Sequence, residues 1–512
     1  MTKNSSINKR IAQNTLLLYL RMLFLMAVSL YTSRIVLNAL GVEDFGIYNV
    51  VGGIVAMFNV LSGSLSAAIS RFITYELGKG NQNSLNKIFS SAVTIQLGLS
   101  GIIILLAETL GIWFLNVKMN IPETRMEAAN WVFQFSILTF VISLISVPYN
   151  ASIIAHEKMS AFAYISILEA IGKLSIAYLI VISPIDKLIF YAILMCVVAF
   201  IIRFTYGNYC KRHFIECSYH FIWDKQLLRQ MFSFAGWNFI GASSAILRDQ
   251  GGNIVINLFC GPAVNAARGI AFQVNNAVNQ FVVNFMTALN PQITKSYAVG
   301  DKEYMLTLIY QGARLSFYML LLLSLPILVN THYILELWLK TVPEHTAFFV
   351  QLVLIFALSE SISQPLITAM LATGKIRNYQ IIVGGLQMLN LPISYILLRL
   401  GFFPESVIIV AICISQCCLA ARLIMLRGMI SISIRNYLQK VYFNIITVGI
   451  AAFILPFISA QYITESFISF IVISLIAVIC TIISIYFIGC NHQERLFILQ
   501  KLSTIKAKIN NK

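Results

Sequence analysis

Charge is scarce in this chain. Only 11% of its 512 residues are Asp, Glu, Lys or Arg, against about 25% in a soluble globular protein. That excludes a body wetted on all sides. The nine cysteines are scattered, odd in number and without a CxxC pair, which leaves a disulfide framework or zinc site unsupported. The six histidines are equally dispersed and form no HExxH, and no catalytic constellation is visible. Long polar loops are missing too. The longest connector, "GNYCKRHFIECSYHFIWDKQLLRQM" at 207–231, suits either a surface-lying helix or a plain linker.

Apolar residues make up 58% of the chain. They gather into fourteen segments, at about 12–35, 45–70, 88–116, 131–150, 161–182, 188–206, 232–258, 267–292, 308–330, 347–370, 379–399, 404–424, 441–460 and 467–488. Each approaches or exceeds the roughly 20 residues that a helix needs to cross hydrocarbon. A bilayer offers backbone groups no water, so these segments are read as helices. Barrel strands would be about ten residues long and half polar, which these are not. The N-terminal run lacks a small-residue cleavage pattern and is read as a retained first span. The sequence thus predicts an all-α polytopic membrane protein.

The formal net charge of +16 suggests a nucleic-acid partner only until its placement is examined. With the N-terminus inside, inner connectors and flanks hold Lys79, Lys87, Lys158, Lys211, Arg212, Lys375, Arg377, Arg422, Arg427, Arg435 and the basic tail, while outer ones hold few cations and many carboxylates. That is the positive-inside pattern. It predicts cytoplasmic termini and no nucleic acid.

The punctuation of the chain repeats. "LGVEDFG" at 40–46 meets "CGPAVNA" at 260–266, and "ISRFITYELGKGN" at 69–81 meets "LNPQITKSYAVGD" at 289–301. With a slightly shorter offset, Pro148 and Lys158 meet Pro365 and Lys375. Six spans, an even number, separate the copies, so both insert the same way round. The expected organisation is an N-terminal six-helix bundle at 1–210, a cytoplasmic connector at 211–231, and a second six-helix bundle at 232–430. Two extra helices and a basic tail at 431–512 complete it.

Charges at membrane depth are costly, so their positions carry functional weight. Arg21 lies near the centre of the first span, and Arg248 with Asp249 lies at mid-depth in the seventh. Under the repeat the two arginines share a helical face and are expected to meet one central cavity. Adjacent residues leave a helix about 100° apart, so neighbouring Arg248 and Asp249 are no proof of a pair. Glu169 and Lys173, four apart, are able to pair, whereas Glu108 and Glu360 look solitary. Snorkelling to headgroups accounts for Arg34, Arg71 and Arg268 near span ends as well as a ligand does. The amides of the eighth span, Asn275, Asn276 and Asn279 among them, suit either sugar hydroxyls or helix-to-helix bonding. Pro148 and Pro365 are expected to bend the fourth and tenth spans, as hinges for gating or merely in packing.

"YTSRIVLNALGVEDFGIYNVVGGIVAMFNVLSGSLSAAISRFITYELGKG" at 31–80 and "PYNASIIAHEKMSAFAYISILEAIGKL" at 148–174 are similar to the bacterial polysaccharide flippases of the O-antigen type. These lie in the superfamily that also holds multidrug antiporters. The resemblance implies two lobes and transport of undecaprenyl-pyrophosphate-linked oligosaccharide from the cytoplasmic to the periplasmic leaflet of the inner membrane, without catalysis. It implies no bound cofactor or metal, with coupling to sodium, protons or membrane potential left open. A monomer in transient contact with polysaccharide assembly enzymes is the expected working state. By position, Arg21, Arg34 and Arg268 resemble that superfamily's cavity arginines; Arg248 and Lys173 join them from depth alone. The alternative is a drug or small-molecule exporter of the same superfamily, which favours cavity carboxylates. A polysaccharide polymerase or ligase needs a large outer loop, which is lacking.

Overall fold

The computed structural model describes residues 2–56, 59–118, 121–339, 342–462, 466–491 and 494–496, apart from a set of side chains within 2–62 and 250–266. The described residues are helical, with no strand among them. Ten helical stretches among them are long and apolar enough to cross a membrane. They coincide with the third to sixth and ninth to fourteenth apolar segments. The other four segments fall in α1 (Thr2–Ala56), α2 (Asn59–Lys79) and α8 (Lys225–Ala298). The protein is an all-α, multi-pass membrane protein. Its contacts divide it into two compact units: Met1–Ser243 with Thr294–Gly300, and Ser244–Ile293 with Asp301–Lys512.

In the first unit α1 is broken at Gly41, whose φ of 80° and ψ of 169° suit glycine alone. Then come α3 (Gln82–Leu106), α4 (Ile112–Lys118), α5 (Glu123–Ala155), α6 (Met159–Leu179) and α7 (Lys187–His213). Val51, Leu115, Val132, Phe133 and Leu188 form one buried apolar core, and Phe89, Ile153, Ile165 and Ile202 another. The connector after α7 is neither a surface helix nor a loose linker. It makes one short turn at Ile215–Cys217 and then runs extended. The Asn86 side chain of α3 donates to the Glu216 and Ser218 carbonyls at 3.1 and 3.0 Å. Glu216 meets His156 at 2.5 Å and accepts from Gln82 at 3.1 Å. Burial alone would raise the Glu216 carboxyl, but His156, its own backbone N–H and Gln82 hold it below its ordinary value.

The end of α8 returns to this unit, where Lys295 meets Glu157 at 2.6 Å. Here Gly78 permits a close approach of helices. A Cβ on it would lie 2.9 Å from Ala298 Cβ and 3.1 Å from the Lys295 Cα. Because the obstruction includes backbone, Gly78→Val should cost about 1–3 kcal/mol, read as a lower Tm in detergent. Gly63→Val, at an open position, serves as the control.

In the second unit, the 74 residues of α8 cannot be one straight rod. Arg268 donates to the Asp249 carbonyl at 3.1 Å, although the rise between them on a straight helix would be about 28 Å. The chain therefore reverses between Asn253 and Arg268. There follow α9 (Lys302–Val329), α10 (Thr331–Leu339), α11 (Thr346–Ser361), α12 (Gln364–Thr373), α13 (Arg377–Met388), α14 (Asn390–Arg399), α15 (Ser406–Ile430), α16 (Ile434–Tyr437), α17 (Asn444–Tyr462) and α18 (Phe467–Ser484). The last two pack on each other and on α9. Pro365 opens α12, just after the tenth segment breaks at Ile362–Ser363, whereas Pro148 sits inside an unbroken α5. The two prolines occupy different local structures.

Local geometry recurs at the repeat offset. Gly80 and Gly300 end helices with φ of 73° and 78°. Each precedes a cap, Asn81 or Asp301, whose side chain accepts from the backbone N–H three residues on. Ion pairs recur as well. Arg125 binds Asp186 at 2.6 Å and Asp44 at 2.5 Å. At an offset of about 220 residues, His345 binds Glu405 at 2.7 Å.

Asp186 also caps α7, accepting from the Leu188 and Ile189 N–H groups. Burial would raise its carboxyl, but Arg125 and those N–H bonds outweigh it and hold it below the ordinary value. A depressed carboxylate contributes stability above its unfolded value, about 3.9, and loses it as pH falls through the folded value. The Tm should therefore fall below about pH 4, and Asp186→Asn should make that fall shallower.

Candidate functional site

Arg21 projects from α1 toward α6, its guanidinium carbon 4.3 Å from the Phe162 ring centre. It is half-buried, its Nε is sealed from solvent, and it makes no hydrogen bond among the described residues. Glu169 and Tyr206 act on it electrostatically. Glu169 is also bound by Lys173 at 2.6 Å, as the four-residue spacing allows. Glu169 thus contacts Lys173 directly and acts on Arg21 only through space. Arg203 makes a like contact, its guanidinium carbon 4.0 Å from the Tyr149 ring centre. The sequence alone gives no sign of Phe162, Tyr206 and Tyr149, since rings on three separate helices share no local spacing. The Arg34 side chain lies outside the described residues.

A second cationic cluster lies within the second unit. Arg248 Nε donates to Asp249 at 2.8 Å, so the adjacent residues do pair: the long arginine side chain bends across the angle between them. Its guanidinium carbon lies 5.0 Å from the Phe356 ring centre. Arg268 is only 3% exposed, donates to the Asn253 side chain and the Asp249 carbonyl, and covers the Phe272 ring. It does not reach for a headgroup. It ties the two arms of α8 together.

Glu360 is not solitary. It accepts from Ser415 at 2.6 Å and acts electrostatically on both Arg248 and Arg422. Arg422 is 1% exposed, with Nε and Nη1 buried and unbonded, and Tyr379 is its side-chain hydrogen-bond partner. The sequence placed Arg422 with the cytoplasmic flank of its span. Its 62-residue separation from Glu360 carries no pattern.

The amides of the second α8 arm divide by face. Asn275 is buried with its Oδ1 unpartnered, Asn276 is exposed, and Asn279 is half-buried. Gln273, Asn276 and Gln280 form one exposed stripe, a surface that suits water or a polar ligand rather than hydrocarbon. Asn284 instead bonds within its own helix, and Asn290 accepts from Thr368 at 2.7 Å. Among the described residues no group of three His, Cys, Asp or Glu is placed to hold a metal.

Ten stretches long and apolar enough to cross a membrane, with arginines set against rings, a carboxylate and an amide, define an all-helical membrane protein. Its fold is that of the MATE transporters. A solved MATE structure in the bent conformation shares a TM-score of 0.73 at 12% identity, covering 83% of this chain and 96% of that one. A multidrug resistance MATE family transporter of the MOP superfamily, in an outward-facing conformation, gives 0.71 at 13%, with the same coverage of 83% and 96%. The family described as polysaccharide biosynthesis protein matches residues 11–297, and the chain belongs to it. A relative, the uncharacterized membrane protein EpsK of Bacillus subtilis, is 19% identical over 307 residues, 59% of this chain. The match spans 60% of that relative's own length.

Proposed function

We propose that this protein is a flippase that carries undecaprenyl-pyrophosphate-linked oligosaccharide from the cytoplasmic to the periplasmic leaflet of a bacterial inner membrane, for surface polysaccharide or lipopolysaccharide assembly. The observation that carries the reading is Arg21: a guanidinium at membrane depth, held by a ring face and leaving its N–H donors unspent. A pyrophosphate cannot enter hydrocarbon unaided, and charge-assisted bonds to arginine compensate it. In the second unit Arg248 offers the same chemistry, and the exposed stripe of Gln273, Asn276 and Gln280 suits glycan hydroxyls. The lipid tail needs no site of its own, because it stays in the bilayer. No covalent step is required. Both termini lie in the cytoplasm, the monomer works alone or in transient contact with assembly enzymes, and sodium, protons or membrane potential supply the drive.

Glu360 and Asp249 favour a second reading, export of a cationic small molecule. Proteoliposomes loaded with a fluorescent lipid-linked oligosaccharide separate the two. Translocation of that lipid supports the flippase. Efflux of a cationic dye with no lipid movement overturns it, and varying sodium, pH and potential in the same vesicles identifies the drive.

A further inference from the structure

The two helices beyond the repeat build a pocket that the transport reading does not use. It lies where α9 and α17 end and α18 begins, with Asn330, Tyr333, Gln351, Ser469 and Phe470 in its wall and about 90 Å³ of space. Among the described residues no lysine, arginine or carboxylate lines it. The lining is amide, hydroxyl, imidazole and ring. Tyr333 and Phe470 stack with centroids 5.5 Å apart and planes 29° apart. Ser466 and Ser469 cap one another at the start of α18, fixing that wall.

The polar groups of the wall are largely unspent. The Asn330 amide donates to the Pro326 carbonyl at 3.1 Å and lies 3.5 Å from Ser474, while its side-chain oxygen accepts nothing. His332, the Tyr333 hydroxyl and Gln351 make no hydrogen bond to other described residues. Paired amide donors and acceptors beside aromatic faces suit a neutral polyol ring, whose hydroxyls both give and accept while its C–H face lies on the rings. An anion would find no lysine or arginine among the described residues here, and an apolar ligand would strand the amides. The space is well below the roughly 300 Å³ of a drug-sized site. It admits one ring at the edge of a longer chain.

We infer that this pocket is a glycan subsite that holds one neutral sugar ring at the outer face. The site lies at the opposite end of α9 and α17 from Lys302, Arg435 and Lys440, and the positive-inside rule makes that end the outer one. The inference rests on the flippase reading for the source of the sugar, a glycan that has just crossed. The appended helices then serve to capture the head of the cargo on the release side.

Sugar binding is measured with free sugars, carrying neither a lipid anchor nor a pyrophosphate, so the subsite and the transport reading fail separately. Purified protein in phosphatidylcholine nanodiscs is examined by saturation-transfer NMR with D-glucose, D-galactose and N-acetylglucosamine, beside glycerol and phosphocholine. At least one sugar should bind in the millimolar range, as a single ring on a shallow site does. Gln351→Leu and Tyr333→Ala should weaken it about tenfold. Tyr333→Phe, which keeps the stacked ring, should lose less than Tyr333→Ala. Size-exclusion profiles establish that each variant is folded. No sugar signal, a signal unchanged in the variants, or equal displacement by glycerol or phosphocholine overturns the subsite and leaves the flippase reading intact. Absence of lipid translocation by the parent protein, with sugar binding retained, removes the flippase alone.

Discussion

Arg21→Ala and Arg248→Ala should each lower the initial rate of lipid-linked oligosaccharide translocation about 10- to 100-fold. A hydrogen bond to a charged partner is worth about 1.5–3 kcal/mol, and each guanidinium offers several N–H donors to a pyrophosphate. The two variants differ in what else they disturb. Arg21 makes no hydrogen bond among the described residues and rests on the Phe162 ring, so its loss should leave the fold nearly as stable. Arg248 is tied to Asp249 and acts on Glu360, so Arg248→Ala should also lower the Tm. Lysine keeps the charge without the planar fork and should retain part of the rate at Arg21. Normal rates in both alanine variants, at normal levels in the membrane, would return these arginines to structural duty.

The helices were legible because hydrocarbon imposes a crude rule, about 20 apolar residues per crossing, and a crude rule survives in a single sequence. The left-handed turns at Gly80 and Gly300 were legible as recurring punctuation, since glycine marks backbone that other residues rarely adopt. Lys173 with Glu169 was legible because one helix turn joins them. What stayed hidden depends on folding back. Arg268 reads as a span end, and only the reversal of α8 buries it against Asp249 and Asn253. The connector after α7 reads as a linker, and only docking on α3 gives the Asn86 amide its carbonyls. Glu360 and Arg422 stand on different helices with no spacing to announce them. Position along the chain reports apolar helices well, and reports which groups meet across helices poorly.

That hidden pair carries the largest stability effect to be expected. Arg422 is 1% exposed, has Tyr379 as its side-chain hydrogen-bond partner, and feels the half-buried Glu360 carboxylate through space. Removing the Glu360 charge leaves that buried guanidinium less compensated, at a cost of about 2–4 kcal/mol. Glu360→Ala should therefore lower the Tm by about 3–5 °C. Glu360→Gln keeps a partner for Ser415 and discards only the charge, so it separates electrostatics from packing. If charge is the larger part, Gln should be nearly as damaging as Ala. The double variant Glu360→Leu with Arg422→Met is the decisive case, since an apolar pair of similar volume has no charge to desolvate. It should recover most of the lost Tm, giving a strongly non-additive cycle. Additive losses, or a Glu360→Ala protein that melts with the parent, would show that Arg422 is neutralised by something other than Glu360.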